Sequence, residues 1–468
     1  MTRVTLATVD QVLIVAYFAS VLLIGFLSTR KKQDTADFLL AGRSLTLPVF
    51  VMTLVSTWYG GILGVGEFSY RYGISNWVIQ GVPYYIFAII FAYLLAKRIR
   101  ASNLITIPDK LQEAYDLKTA ILGSFLTFIL MTPAPYILML AVLLQLVTGW
   151  GLVTCVLLGT VATTVYLFFG GFRSDVQTDV FEFFLMFIGF GVILPFAWMK
   201  FGGLDFIRQN VPPLHLTWNG GNSMQFVLVW FFIALWTLVD PSFHQRCYAA
   251  RTGDVARKGI LISVLFWIAF DAMTATAGLY ARAALPGLSQ PVDAYPLLAE
   301  ATLPPVAKGL FYIGMLATIM STLNTLAFVS AATIGRDMVW RLRRDERAIS
   351  ENSYTRWGLL ATACLSIVLA LLIPSVIQLW YTIGTVIIPG LLIPLVTGYF
   401  ERWKVPARYA FLAMLLGWVT STTWLMIGWS HQLGDSEHYP FGIEPMYPGL
   451  FLSACVWGWG RTRSVRGE

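Results

Sequence analysis

Apolar runs of membrane-spanning length constrain this chain more than any other feature. A helix that crosses a bilayer needs roughly 20 apolar residues, and about thirteen such runs follow one another, separated by short polar or Gly/Pro-containing segments. The predicted spans are 9–29, 46–69, 75–97, 119–148, 151–170, 176–199, 224–245, 259–283, 308–333, 356–375, 377–400, 407–429 and 446–460. Charged residues make up 12 % of the chain, against roughly a quarter in soluble domains, which excludes a soluble globular fold. We therefore predict an all-α polytopic membrane protein, embedded in a lipid bilayer as one transmembrane domain over residues 1–468.

The basic residues indicate how the chain is oriented. An odd number of spans places the two termini on opposite sides of the membrane, and Lys and Arg accumulate in cytoplasmic loops. With the N-terminus outside, the predicted cytoplasmic segments contain most of the 32 Lys and Arg residues. We therefore expect a protein of the cell (inner) membrane with an external N-terminus and a cytoplasmic C-terminus. The net charge of +7 then reflects topology, and no nucleic-acid partner is predicted.

Two predicted spans contain helix-breaking residues at their centres. The second contains Gly60 and Gly61, which lower the cost of unwinding, and the seventh contains Asp240 followed by Pro241. Because the breaks lie five spans apart, the two spans cross the membrane in opposite directions. Matched broken helices of this kind are typical of inverted-repeat transporters, whose binding site lies near the midplane of the bilayer. The predicted repeats of five helices each are 46–199 and 224–400. The alternative is that the glycines form a close packing contact and the proline an ordinary kink.

Four short motifs connect the chain to a known family. They are Ala41-Gly42-Arg43-Ser44-Leu45, Gly170-Gly171-Phe172 with Thr178-Asp179, Gln245-Arg246, and Met320-Ser321-Thr322-Leu323. In the order and spacing of these motifs the chain resembles the sodium/solute symporter family, which includes sugar, proline, pantothenate and choline carriers. The resemblance implies one peripheral helix, ten core helices in two inverted repeats and two further helices. The peripheral helix would be 9–29 and the further pair 407–460.

The last motif implies a site for a co-transported sodium ion. Sodium requires about five oxygen ligands, which unwound backbone carbonyls and small hydroxyls supply inside a membrane. Matched to the family, the hydroxyls of Ser321 and Thr322 would bind sodium together with the carbonyls of Ser56, Tyr59 and Thr318. The alternative is that both hydroxyls bond to carbonyls one turn earlier in their own helix, which is common in membrane helices.

Some family members hold a second sodium ion near an aspartate of the sixth span. In this chain the aspartate is Asp179, and the next turn beyond Ser321 contributes Asn324 and Thr325. Asn324 is a departure from the hydroxyl expected there, although its amide oxygen is also a suitable ligand. The alternative is a structural role for Asp179, as a partner of Ser321 or of a nearby arginine such as Arg173.

Four residues are candidates for binding a transported solute. Trp58 at the first break stands where proline carriers have an acid and sugar carriers an amide, whereas choline carriers have a Trp followed by glycines. Asp240 matches a position that contacts the solute in sugar carriers, and Gln80 lies in a region where those carriers hold a hydroxyl. Asp271 belongs to no motif, but a carboxylate in the middle of an apolar span is costly and must face the bundle interior. It either lines the solute cavity or is merely hydrogen-bonded within the bundle.

Carboxylates beside an aromatic wall suit an amine-bearing solute, although sugars use similar groups. We therefore predict a secondary active symporter in which inward sodium flow drives import of a small polar organic solute by alternating access. There are two alternatives: proton coupling through Asp179 or Asp271, and a solute sensor built on a transporter fold.

The sequence contains no paired nucleophile and base, no metal-ligand spacing and no phosphate-binding loop, so no enzyme activity is predicted. No obligate protein partner is evident.

Overall fold

The computed structural model describes residues 4–28, 35–343, 351–430 and 439–466, and these residues form an almost entirely helical fold. Thirteen helices correspond to the predicted spans. They are α1 Thr8–Ser28, α2 Leu47–Tyr72, α3 Trp77–Ala101, α4 Leu117–Thr148, α5 Leu152–Thr164, α6 Gly171–Phe201, α7 Met224–Ala249, α8 Gly253–Ala284, α9 Ala307–Arg343, α10 Ser353–Leu372, α11 Val376–Gly398, α12 Ala407–Ser430 and α13 Met446–Arg466. Within the described ranges eleven of them are long and apolar enough to cross a membrane. The two others are α5, which runs into α6 through a break at Gly171 (φ 65°, ψ 178°), and the more polar α13, so the predicted count of thirteen spans is not confirmed.

The first break, in α2, is a single tightened turn. The helix runs as an α-helix to Trp58, passes through a 3₁₀ turn over Tyr59–Gly61, and continues as an α-helix from Ile62. A Cβ atom on Gly60 would lie 1.9 Å from the Thr322 hydroxyl oxygen of α9, because the two helices touch there. The glycines therefore serve as a close packing contact, and they also allow the change of helix type.

The second break, in α7, interrupts the helix more completely. Asp240 has an extended backbone (φ −67°, ψ 114°), and a new helix begins at Pro241. Proline fits the first turn of this helix because its missing N–H has no partner to lose there. Both predicted breaks thus exist as local departures from the α-helix, while the assignment of two inverted repeats stays a prediction.

Helix α9 lies at the centre of the bundle, and its most apolar stretch is completely buried. It packs closely against α6 because Gly189 and Gly314 face each other, with less than 3 Å between either ideal Cβ position and the opposite Cα. Helix α1 packs against both α6 and α9. Its Asp10 carboxylate accepts hydrogen bonds from the Val306 and Gly309 amides at 2.8 and 3.0 Å. The motif Ser321-Thr322 is therefore carried by the most enclosed helix of the fold.

Candidate ion and solute sites

The hydroxyls of Ser321 and Thr322 point in two directions from α9. The Thr322 hydroxyl donates to the carbonyl oxygen of Thr57 at the first break, and it also lies 3.5 Å from the carbonyl oxygen of Thr318 one turn earlier. The Ser321 hydroxyl donates to Asp179 Oδ1 on α6 at 2.5 Å. The Ser56 hydroxyl bonds within its own helix, so Ser56 has only its carbonyl to offer an ion. Ser321 and Thr322 therefore lie where α2, α6 and α9 meet, and the α2 carbonyl that Thr322 contacts is that of Thr57, not the predicted ones of Ser56 and Tyr59. The sodium site itself stays a prediction.

A buried arginine is the partner of Asp179. Arg246 Nη2 lies 2.9 Å from Asp179 Oδ2, and neither side chain has any exposed surface. The same nitrogen also donates to the hydroxyls of Thr57 and Thr325, and Nε donates to Thr53 at 3.2 Å. This guanidinium therefore ties α7 to α2, α6 and α9 at once. Removing one partner of such a pair is costly because it leaves an uncompensated buried charge.

The predicted alternative partner of Asp179, Arg173, is elsewhere. Its guanidinium forms an ion pair with Asp37 at 2.6 Å and reaches the Ala41 carbonyl. The structural role considered for Asp179 is therefore fulfilled by Ser321 and Arg246.

The guanidinium also lies among the candidate ligands of a second sodium ion. It contacts Asp179 and Thr325, two of the three candidate ligands, and supplies the positive charge that an ion would bring. The third candidate, Asn324, is fully buried, and both atoms of its amide have no hydrogen-bond partner among the described residues.

Sequence reasoning missed two charged residues of this cluster. The sequence indicates Arg246 only as part of a motif and gives Asp175 no predicted role. Asp175 is 2 % exposed and accepts a 2.7 Å hydrogen bond from the Thr325 hydroxyl. The sequence did contain a sign of its importance: Asp175 lies four residues before Asp179 in an apolar helix. Two like charges one turn apart repel each other and are rare in membrane helices.

The four candidate solute residues, Trp58, Gln80, Asp240 and Asp271, line one cavity of about 130 Å³. Aromatic side chains make up much of the remaining wall: Tyr84, Tyr136, Trp230, Trp236 and Trp380. Among the described residues that line the cavity there is no Lys, Arg or His. The cavity therefore combines two carboxylates with an aromatic wall and has no fixed positive charge.

Asp271 is held by tyrosines from two other helices. The hydroxyl of Tyr59, at the first break, donates to one carboxylate oxygen, and the hydroxyl of Tyr85 donates to the other. Tyr85 in turn accepts a 3.0 Å hydrogen bond from the indole N–H of Trp77. Asp271 is thus both hydrogen-bonded within the bundle and part of the cavity wall, so the two predicted alternatives are not exclusive.

Asp240 caps the second half of α7. Its Oδ1 accepts hydrogen bonds from the Ser242 amide at 2.7 Å, the Ser242 hydroxyl at 2.5 Å and the Phe243 amide at 3.3 Å. The positive end of a helix dipole stabilises a carboxylate placed at the N-cap. The broken helix therefore fixes Asp240 at the cavity.

Comparisons with known proteins show what the chain is similar to. The profile of the Sodium:solute symporter family matches residues 38–417. The chain is 27 % identical to the sodium/pantothenate symporter of Escherichia coli over 94 % of this chain and 93 % of that protein. It is 26 % identical to high-affinity choline transporter 1 of Drosophila melanogaster over 78 % of this chain and 63 % of that protein.

A solved structure shares the fold. It shows a Na⁺-coupled sialic acid symporter in a substrate-bound, outward-open state, and it superposes with a TM-score of 0.76 at 16 % identity, covering 97 % of this chain and 98 % of that one. The chain therefore belongs to the sodium:solute symporter family: it is an integral membrane transporter rather than an enzyme, and sodium is its co-transported ion.

Proposed function

We propose that the protein imports a small amine-bearing organic solute by alternating access, driven by sodium bound where Ser321 and Thr322 meet the first break. In this proposal the N-terminus is outside and the C-terminus cytoplasmic, in the cell (inner) membrane. The observation that carries the proposal is the charge of the cavity, which has two carboxylates and no basic residue among its described lining.

The aromatic wall suits the positive end of such a solute. A cation desolvated over an indole ring gains on the order of 2 kcal/mol, and a nearby carboxylate adds a charge-assisted contact. Trp58 is positioned for this role because its ring packs at 4.9 Å against Tyr84 and at 5.5 Å against Trp267. An anionic solute would instead meet Asp240 and Asp271 with no lining cation to balance it. The relative that transports choline supports the amine-bearing class.

The first break gives a physical route for coupling sodium to solute. Thr57 offers its carbonyl to the Thr322 hydroxyl, while the next residue, Trp58, forms part of the cavity wall. Tyr59 then bonds to Asp271. An ion that orders this turn therefore also orders two cavity residues, so sodium and solute should each strengthen binding of the other.

We expect Asp240→Asn to weaken a charged amine far more than its uncharged isostere. Asparagine also caps helices well, so the break should be preserved while the negative charge is removed. Choline and 3,3-dimethylbutan-1-ol form a suitable pair because they differ chiefly in the quaternary nitrogen. In competition binding, choline should lose well over roughly tenfold in affinity and the alcohol much less. If the alcohol binds the wild type as well as choline does, the solute is not recognised as a cation.

We expect Gly60→Ala to raise the sodium concentration that gives half-maximal thermal stabilisation by at least roughly tenfold. The new methyl group would collide with the Thr322 hydroxyl and push it from the first break, and overpacking of this kind costs about 1–3 kcal/mol. Gly191→Ala is the matched control, since its Cβ would meet only Met273 Cε at 3.8 Å. If Gly60→Ala responds to sodium as the wild type does, the contact between Gly60 and Thr322 does not contribute to sodium binding.

A further inference from the structure

Two arginines at the C-terminal end of α9 hold a short helix, Ile107–Ala114, which lies between α3 and α4. Arg336 Nη1 donates to both carboxylate oxygens of Asp109, at 3.1 and 3.2 Å, and Arg341 Nη2 donates to the same carboxylate. Both arginines also contact Asp337, which is fully buried, while their own side chains are 9 % exposed. Ion pairs this enclosed are screened less than surface pairs. We call Asp109, Arg336, Asp337 and Arg341 the latch.

Asp109 also caps the short helix to which it belongs. The Thr106 hydroxyl accepts a hydrogen bond from the Asp109 amide at 3.4 Å, and the Asp109 carboxylate accepts one from the Thr106 amide at 3.2 Å, which is the reciprocal pattern of a capping box. The Thr106 hydroxyl in turn donates to Asp337 Oδ1 at 3.1 Å. Because the same side chains cap the helix and bind α9, the short helix is fastened to α9 by its N-terminal end.

The short helix separates two spaces. A cavity of about 20 Å³ lies on one side of it, and an open cleft of about 540 Å³ lies on the other. Ile107 and Pro108 line the cavity, whereas Asp109 lines the cleft. Ile105, just before the helix, lines both. Residues 105–114 therefore form the wall between the two spaces, and we call them the plug.

The small cavity is polar where it meets α4 and α7. Thr127 and Gln245 line it, and Thr127 Oγ1 and Gln245 Oε1 are both buried without a hydrogen-bond partner in the described part of the chain. The amide nitrogen of Gln245 donates to the Leu39 carbonyl at 3.1 Å, so the amide is held in place. A cavity needs roughly 10–15 Å³ to hold a water molecule, so this one has room for one. The cavity therefore suits water or a small polar group rather than an apolar side chain.

The break in α7 lies between this small cavity and the solute cavity. Asp240 and Ser242 line the solute cavity, whereas Pro241, which stands between them in the sequence, lines the small cavity. Gln245 follows about one turn later in the second half of α7. In the proposed orientation the solute cavity, the small cavity, the plug and the open cleft therefore follow one another toward the cytoplasm.

We propose that the plug closes the release path to the cytoplasm, and that the latch must open before solute and sodium can leave. The proposal rests on the proposed import function and names the segment that controls release. A latch of enclosed ion pairs suits a step that reverses in each cycle, because the desolvation cost of its charges is recovered when water enters. Thr127 and Gln245 then offer polar contacts along the opened path.

The test is the labelling of a reporter cysteine, Thr127→Cys, by a membrane-impermeant methanethiosulfonate in inside-out vesicles. The native cysteines are first replaced by alanine: Cys155, Cys247, Cys364 and Cys455. We expect Asp109→Asn to raise the labelling rate at least roughly tenfold over the reporter protein with an intact latch, because the rate follows the population of the open state. Asparagine can still accept the Thr106 hydrogen bond but lacks the charge that binds the arginines. Labelling only from right-side-out vesicles would contradict the path.

Glu113→Gln is the matched control, because its carboxylate pairs at 2.6 Å with Lys110 of the same short helix and is 49 % exposed. It should label at the rate of the intact latch. A second reporter, Ser263→Cys, replaces a fully buried side chain of α8 and should stay unlabelled in every folded variant.

Arg341→Gln opens the latch from the α9 side without touching the plug, and it should also accelerate labelling of Thr127→Cys. If Asp109→Asn exposes the Ser263→Cys reporter and is therefore unfolded, Arg341→Gln decides the matter. Labelling at the rate of the intact latch in the folded variants would overturn the plug. The labelling needs neither sodium nor solute, so that result would leave the proposed function standing, and a failure of amine uptake would leave the plug standing.

Discussion

Replacing Arg246 by glutamine is expected to abolish sodium-driven uptake and to lower the free energy of unfolding by about 3–5 kcal/mol. The substitution leaves Asp179 as an unpaired charge with no exposed surface, and it also removes the donor that ties Thr53 and Thr57 of α2 to α7. Thermal unfolding of the purified protein and uptake into proteoliposomes measure the two effects. Arg173→Gln is the control. The side chains of Arg173 and its partner Asp37 are 22 % and 12 % exposed, so breaking this ion pair should lower the free energy of unfolding far less.

A double variant separates the energetic role of this ion pair from its role in transport. Combining Arg246→Gln with Asp179→Asn removes both charges, and neutral replacement of a buried pair is often tolerated. Stability should therefore recover substantially while uptake stays low. If the single variant Arg246→Gln transports normally, the guanidinium does not organise the ion site.

Ser321→Ala combined with Thr322→Ala is expected to raise the sodium concentration for half-maximal uptake by at least roughly tenfold, because two of about five ion oxygens are lost. Loss of the Thr322 hydroxyl also frees the Thr57 carbonyl at the first break, which weakens the contact between α2 and α9. The measurement is initial uptake rate against sodium concentration.

Ser263→Ala provides the control for this experiment. Ser263 is a fully buried hydroxyl of α8 that bonds to the Gly259 carbonyl of its own helix at 2.9 Å. Its removal should leave sodium dependence unchanged. The same unchanged dependence in the double variant would show that sodium does not bind at this motif.

The sequence predicted the helices and both breaks well, because hydropathy and the chemistry of Gly, Asp and Pro act locally. The cost of an internal charge likewise placed Asp271 inside the bundle, where it lines the cavity. Asp271, which belongs to no motif, is thus part of the candidate solute site.

Contacts between distant segments could not be predicted in the same way. Asp179 and Arg246 are 67 residues apart, and only the packing of α6 and α7 against α9 brings them together. The two tyrosines that hold Asp271 come from α2 and α3, so no spacing along the chain announces them. The sequence allowed Gly60 to be either a break in the helix or a close packing contact. The structure shows both at this residue, a 3₁₀ turn and a contact with Thr322.

Accumulation of radiolabelled choline and related primary and quaternary amines in proteoliposomes tests the central claim most directly. Parallel samples carry an inward gradient of sodium, of potassium or of protons, with the membrane potential held at the same value. We predict accumulation above equilibrium only with the sodium gradient. Equal accumulation driven by the proton gradient without sodium would contradict sodium-coupled import of an amine.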